Sequence, residues 1–266
     1  MQLLILCGLT FVIHLIGTLA YAVRIAGVRT RRLAVSFALF NVLILVSRTS
    51  NSFQGPFLAK RVEHNLGTSL GQVAILSDMR WLLLSATLAT VVGGLCIPTF
   101  QRLFSRAVRH FHSHRSVPRL FWDILTAGGV WRIREDASVP SSGNVTRLVK
   151  PSGISIGVLA LNVGAIALWT VGVFASLYAG ILKPELRVTC SSLSSLINGM
   201  ATILLFVFID PQLSVMTDDV MEGKVSDGTF RRAIASLVGA RLVGTVLAQL
   251  FLVPSAILIS RAAEFI

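Results

Sequence analysis

The chain has 266 residues, 54% of them apolar and only 14% charged, with a mean hydropathy of +0.77. A soluble domain is about one-quarter charged, so this composition excludes a disordered chain, a coiled coil and a disulfide-stapled secreted domain. What remains is a single all-α membrane domain over residues 1–266, its net charge of +12 lying mostly between apolar runs, where anionic lipid rather than nucleic acid is the expected neighbour.

Six apolar runs are each long enough to cross a bilayer, which takes roughly 20 residues. They read Leu3–Val23, Leu33–Asn51, Ile75–Ile97, Ile154–Leu182, Val188–Ile209 and Ala233–Ile259. The first is expected to be a span and not a cleaved leader. No basic residue precedes it, and it ends in Arg24, Arg29, Arg31 and Arg32 rather than in small residues. With both termini placed outside, the inner loops carry sixteen Lys and Arg and the outer loops five, as the positive-inside rule requires. This predicts a multi-pass protein of the cytoplasmic membrane with Ser52–Gln72 and Lys183–Arg187 as outer loops.

Gln101–Ser152 is the one long connection, basic and cytosolic. Within it Leu103–Phe111 and Leu120–Arg134, with Trp122 and Trp131, suit the headgroup layer; a solvated basic linker is the plainer reading. Spans four to six repeat some features of spans one to three. Tyr21 and Tyr178, and Asn41 and Asn198, are each 157 residues apart. A 3+3 inverted repeat, a transporter design with its site between the halves, is one expectation; chance alignment of abundant Leu, Ala and Ser is the other.

An arginine at mid-bilayer costs roughly 2.5–3.5 kcal/mol on insertion scales and so usually has a partner or a purpose. Arg241 lies nine residues past Arg232, about 13 Å into its span at 1.5 Å per residue. His14 is also central. Arg24 stands at the inner end. Arg48, Arg80 and Asp78 are expected near the outer ends of their spans, where Arg48 and Arg80 can snorkel and Arg48 can pair with Asp78 as an outer gate. Asn41, Asn162 and Asn198 suit interhelical hydrogen bonds. Asp218, Asp219 and Glu222 form a cytosolic DDxxE. It reads either as a Mg²⁺–diphosphate site or as the acidic first turn of a short helix capped by Thr217. His110, His112 and His114 sit in basic surroundings unsuited to a metal. Cys7, Cys96 and Cys190 have no metal spacing. HExxH, GxSxG and GxxxxGK[ST] are missing; no enzyme chemistry, ATP hydrolysis, cofactor or metal is expected.

Four strings carry a resemblance: YAVRIAGVRTRRLAV from Tyr21, VSRTSN from Val46, PELR from Pro184 and DPQLSVMTDDV from Asp210. They resemble the Amj family, "alternate to MurJ", over roughly residues 10–100 and 150–255. The resemblance implies a flippase for lipid II, carrying this undecaprenyl-diphosphate-linked wall precursor from inner to outer leaflet. It supplies no site residues. Those expected from physics are Arg24, Arg241, Arg80 and Arg48 along the path of the diphosphate, because arginine's rigid fork suits phosphate. Asp78, His14, Asp218, Asp219 and Glu222 are expected as gate or coupling groups. Two other classes remain in view: a prenyl-diphosphate enzyme using the DDxxE, and a non-catalytic scaffold. Oligomeric state and energy source are not written in the sequence.

Overall fold

In the computed structural model, residues 1–65, 69–114 and 153–266 are described. They form helices α1 (Gln2–Thr30), α2 (Leu33–His64), α3 (Ser69–His114), α4 (Ile156–Leu182), α5 (Arg187–Ile203), α6 (Asp210–Met221) and α7 (Asp227–Phe265). A short 3₁₀ turn, Pro184–Leu186, opens α5, and a π segment, Leu204–Ile209, joins α5 to α6. Six helical stretches are long and apolar enough to cross a membrane; α5, the π segment and α6 together make the fifth, Pro184–Met221.

The boundaries correct several expectations. α2 runs through Pro56 to His64 and α3 starts at Ser69, so most of Ser52–Gln72 is helix and not loop. Apolar residues at helical spacing continue past Asn51 (Leu58 and Val62 are buried), and that burial outweighs Pro56. α3 also continues past the membrane through Gln101–His114. The rest of the basic connection, with Trp122 and Trp131, lies outside the described residues.

The turn between α1 and α2 is tight. Arg31 takes a left-handed conformation with φ 53°, and its N–H and that of Arg32 bond back to Val28 and Gly27. Leu33 folds against Gly27 so closely that a β-carbon there would meet it at 2.6 Å. Serines cap two later helices: Ser155 accepts from the Val158 amide and Ser226 from the Thr229 amide. The π segment has a local cause. Pro211 lacks an N–H and its ring crowds the carbonyl one turn back, so the turn before it widens. An extra residue in a turn rotates everything after it, which re-aims α6.

Packing divides the helices into two sets. α1 is the centre of the first, packed on α2 and α3; α4 is the centre of the second, packed on α5 and α7. The sets join mainly where α3 meets α7. Small residues allow the closest approaches. A β-carbon at Gly93 would meet Thr18 of α1 at 2.8 Å, and one at Gly244 would meet the Val163 carbonyl of α4 at 2.8 Å. α3 turns Val73, Trp81, Leu84, Leu88 and Leu95 outward as a lipid face.

Candidate functional site

A polar cluster occupies the seam between the two sets. His14, Gly17, Tyr21 and Arg24 recur at three- and four-residue steps, so they share one face of α1. Arg241 of α7 lies against that face. A β-carbon on Gly17 would meet its Nη2 at 2.5 Å, so glycine is what lets the guanidinium lie flat on α1. Tyr21 presents its hydroxyl to Arg241 and also meets Asn162 of α4. Asn162 donates to the Leu237 carbonyl of α7 at 3.2 Å. His14 is buried beside Arg241.

Among the described residues no carboxylate pairs with Arg241, although Asp210 lies within electrostatic reach of Tyr21. Arg241 Nε is buried without a hydrogen-bond partner, as are His14 Nδ1 and Asn162 Oδ1. A charge-bearing group held this way is costly unless an anion completes it.

Toward the end of α1 that turns into α2, Arg24 is held three ways. It donates to Asp210 at 3.1 Å and to Ser214 at 3.3 Å, both on α6, and its guanidinium stands 5.2 Å over the Phe37 ring of α2. The π segment immediately before Asp210 is what brings that carboxylate round to α1, in keeping with the frequent use of π turns at functional sites.

The expected outer gate is not formed by Arg48. Asp78 is gripped by Arg61, through Nε at 2.5 Å and Nη2 at 3.0 Å. α2 continues thirteen residues beyond Arg48 to reach Arg61, about 20 Å farther along the axis. Arg48 therefore sits at the middle of α2, not near its outer end. It is exposed, with no acid partner among the described residues. Arg80 is exposed among Val73, Trp81 and Leu84 on the lipid face of α3, away from the Arg24–Arg241 seam.

Asp218, Asp219 and Glu222 lie at the end of α6, not in a first turn, and Thr217 is inside the helix, donating to the Leu213 carbonyl. Glu222 bonds Lys224 at 2.5 Å. Among the described residues no three His, Cys, Asp or Glu side chains converge as a metal site. Of the three asparagines, Asn162 makes the expected interhelical bond; Asn41 is exposed, and the Asn198 carbonyl oxygen lies against Gly172 without a partner. His112 meets Arg32. Tyr21, Gly17, Arg61 and Asp210 had no place among the expected site residues. The three- and four-residue steps from His14 to Arg24 were the available signal for the first two.

A family model described as "Amj: Alternate to MurJ" matches residues 9–263. The chain belongs to the Amj family. The "Lipid II flippase Amj" of Bacillus subtilis (strain 168) is 36% identical over 260 residues, covering 96% of this chain and 94% of that relative. No solved structure matches the chain. The four strings of the Amj resemblance all fall inside the matched range, and two of them hold Arg24 and Asp210, the two ends of the α1–α6 ion pair.

Proposed function

We propose that this Amj-family chain is a lipid II flippase. It is a transporter and not a catalyst, moving the undecaprenyl-diphosphate-linked precursor across the cytoplasmic membrane. The observation that carries the reading is Arg241: a cation at mid-helix, in the seam between two helix sets, with a buried N–H and, among the described residues, no carboxylate beside it. A diphosphate supplies what that site lacks, and bidentate Arg–phosphate contacts are among the strong hydrogen bonds.

In this reading Arg24 meets the diphosphate at the cytosolic end, after exchanging Asp210 for phosphate oxygens. Arg241 then holds it at the midplane. His14 and Tyr21 position the guanidinium. The Arg61–Asp78 pair fixes α2 against α3 at the outer end, and Arg80 anchors α3 to outer headgroup phosphates. The seam lies between two three-span sets, as an inverted-repeat transporter would place it. Both termini then face outside. Asp218, Asp219 and Glu222 act in coupling at the cytosolic surface, where anionic lipids meet the basic residues.

The deciding experiment is complementation. Cells depleted of their other lipid II flippase should grow when this chain is expressed, and purified protein in vesicles should move lipid II between leaflets. A membrane-inserted chain that did neither would overturn the reading.

A further inference from the structure

α2 and α5 are the peripheral helices of the two sets, and each divides its surface in three. On α2, Leu39, Ser50 and Gln54 are buried, the last donating to Thr10 of α1 at 2.5 Å. A second face is exposed and apolar: Val46, Phe53 and Phe57. The third is exposed and polar: Asn41, Arg48, Asn51 and Ser52, with Gly55. At 100° per residue these lie within roughly 60° of the direction of Phe37.

Both ends of that polar face are engaged with the second set. Phe37 lies under Arg24, which reaches on to Asp210 of α6. Leu58 and Val62 are buried in the cluster that holds Val171, Phe174 and Tyr178 of α4. The stretch between them shares their direction, yet it is exposed. Glu63, roughly 80° round α2 from Phe37, meets Arg187 of α5, so this side of α2 is turned toward the second set.

α5 has the same division. Cys190 and Ala201 are buried, and Ile197 packs on Gly172 of α4. Leu196, Met200 and Ile203 form an exposed apolar flank. On the other flank stand Ser191, Ser194, Ser195, Asn198 and Thr202, each exposed or half-buried. Arg187 stands roughly 60° round α5 from Cys190, on the flank of Ser191 and Ser194, so its bond to Glu63 joins the polar flanks of α2 and α5 at one end. Between them α1 leaves Ile13, Gly17, Ala20 and Arg24 half-buried, with Arg241 lying on Gly17. Ion pairs stand at the two ends: Arg24–Asp210 at 3.1 Å inside and Arg187–Glu63, α5 to α2, at 3.8 Å outside.

We propose that this polar channel between α2 and α5 carries the hydroxyl-, amide- and carboxylate-bearing head of the lipid-linked precursor. Asn41, Asn51, Ser52 and Ser195 exchange hydrogen bonds with hydroxyls and amides. Arg48, at mid-helix and without an acid, faces the head's anionic groups, while the polyprenyl tail stays in lipid along the apolar flanks. The proposal rests on the flippase reading and adds the path to it.

Two measurements test it separately. On a background with Cys7, Cys96 and Cys190 changed to Ala, single cysteines are placed at Asn51 and Ser195 on the polar flanks and at Val46 and Leu196 on the apolar ones. A water-soluble thiol reagent should label the first two about tenfold faster, because polar residues inside a membrane face water-filled space. In the second measurement, vesicle flipping of lipid II is scored per inserted molecule. Arg48→Gln should slow it about tenfold, the weight of one charged hydrogen bond, and Leu88→Ala, on the outward face of α3, should leave it unchanged. Labelling no faster at Asn51 and Ser195 overturns the channel. Fast labelling with full flipping in Arg48→Gln and Asn51→Leu overturns its role as the path while the flippase reading stands. A wild-type protein that labels as expected and flips nothing removes the reading beneath the proposal.

Discussion

The ends of the helices and their middle are built on opposite electrostatic plans. At the ends, cations meet carboxylates: Arg24 with Asp210, Arg61 with Asp78, Arg187 with Glu63 and Lys183 with Glu264. The hydrogen bond that Lys183 donates to Glu264 holds the exposed ammonium above its ordinary range. In the middle, Arg241 and Arg48 have no carboxylate among the described residues. The ends can hold helices together because their charges are neutralised in place. The middle holds charge whose complement must come from elsewhere, and that is what a passage for an anionic lipid head requires.

The strongest way to break this contrast is to remove the central charge. Arg241→Ala should abolish detectable flipping per inserted molecule. Arg241→Lys keeps the charge but loses the planar fork and should cost about tenfold or more, the range of one to two charged hydrogen bonds. Protein abundance in the membrane should not change. A fall in abundance with full specific activity would make Arg241 a structural group, and the middle would no longer differ from the ends.

The ends should answer differently, through stability. Asp78→Asn leaves Arg61 partly buried without its carboxylate and should destabilise the fold by on the order of 3 kcal/mol. Thermal unfolding in detergent should show it. Asp78→Asn with Arg61→Gln should be milder than the sum of the two changes, because the pair is lost as a unit. Additive losses would separate these residues, and the outer end would lose its status as a neutralised pair.

Gly17→Ala sharpens the comparison at a single carbon. The new methyl meets Arg241 Nη2 at 2.5 Å, and the guanidinium, at the end of a flexible chain, must shift off α1. Flipping should drop several-fold, roughly 1 kcal/mol of lost contact geometry, with little change in melting temperature. A large loss of stability with normal flipping per molecule would show that Gly17 serves helix packing alone.

How much of this was legible in the sequence follows the same division. Six spans could be read because apolar length and basic loops are properties of composition along the chain. Arg241 and Arg24 stood out because a charge inside an apolar run is visible without a structure. The partner of Asp78 was not visible. It depended on α2 continuing through Asn51 and Pro56 to Arg61, and tertiary burial of Leu58 and Val62 decides that, not local preference. The Asp210 partner of Arg24 was hidden for a similar reason: the Asp-Pro pair reads as a turn, whereas a π segment, Leu204–Ile209, precedes Pro211 and the helix continues through it. The polar flanks of α2 and α5 escaped notice because helical amphipathy is usually sought as two faces, and these helices have three.

The smallest effect is expected at the acidic end of α6. If the contrast between neutralised ends and an open middle is the organising feature, Asp218 and Asp219 belong to the ends, and their loss should touch coupling or helix fraying rather than chemistry. Asp218 is exposed, and the Glu222 and Gly223 amides close the helix onto the Asp218 and Val220 carbonyls. The backbone therefore holds this terminus whatever the side chain. A carboxylate near a helix C-terminus is slightly unfavourable, by about 0.3–1 kcal/mol, so Asp219→Asn should leave stability unchanged or marginally raised. Flipping should fall no more than about twofold, within the scatter of exposed surface changes. The sharper measurement is Mg²⁺ dependence. A metal–diphosphate enzyme would cleave or transfer a prenyl diphosphate only with Mg²⁺ and lose that activity in Asp219→Asn. Finding such an activity would move the working chemistry from the seam at Arg241 to the C-terminal end of α6, and α6 rather than α1 would become the element around which the protein is built.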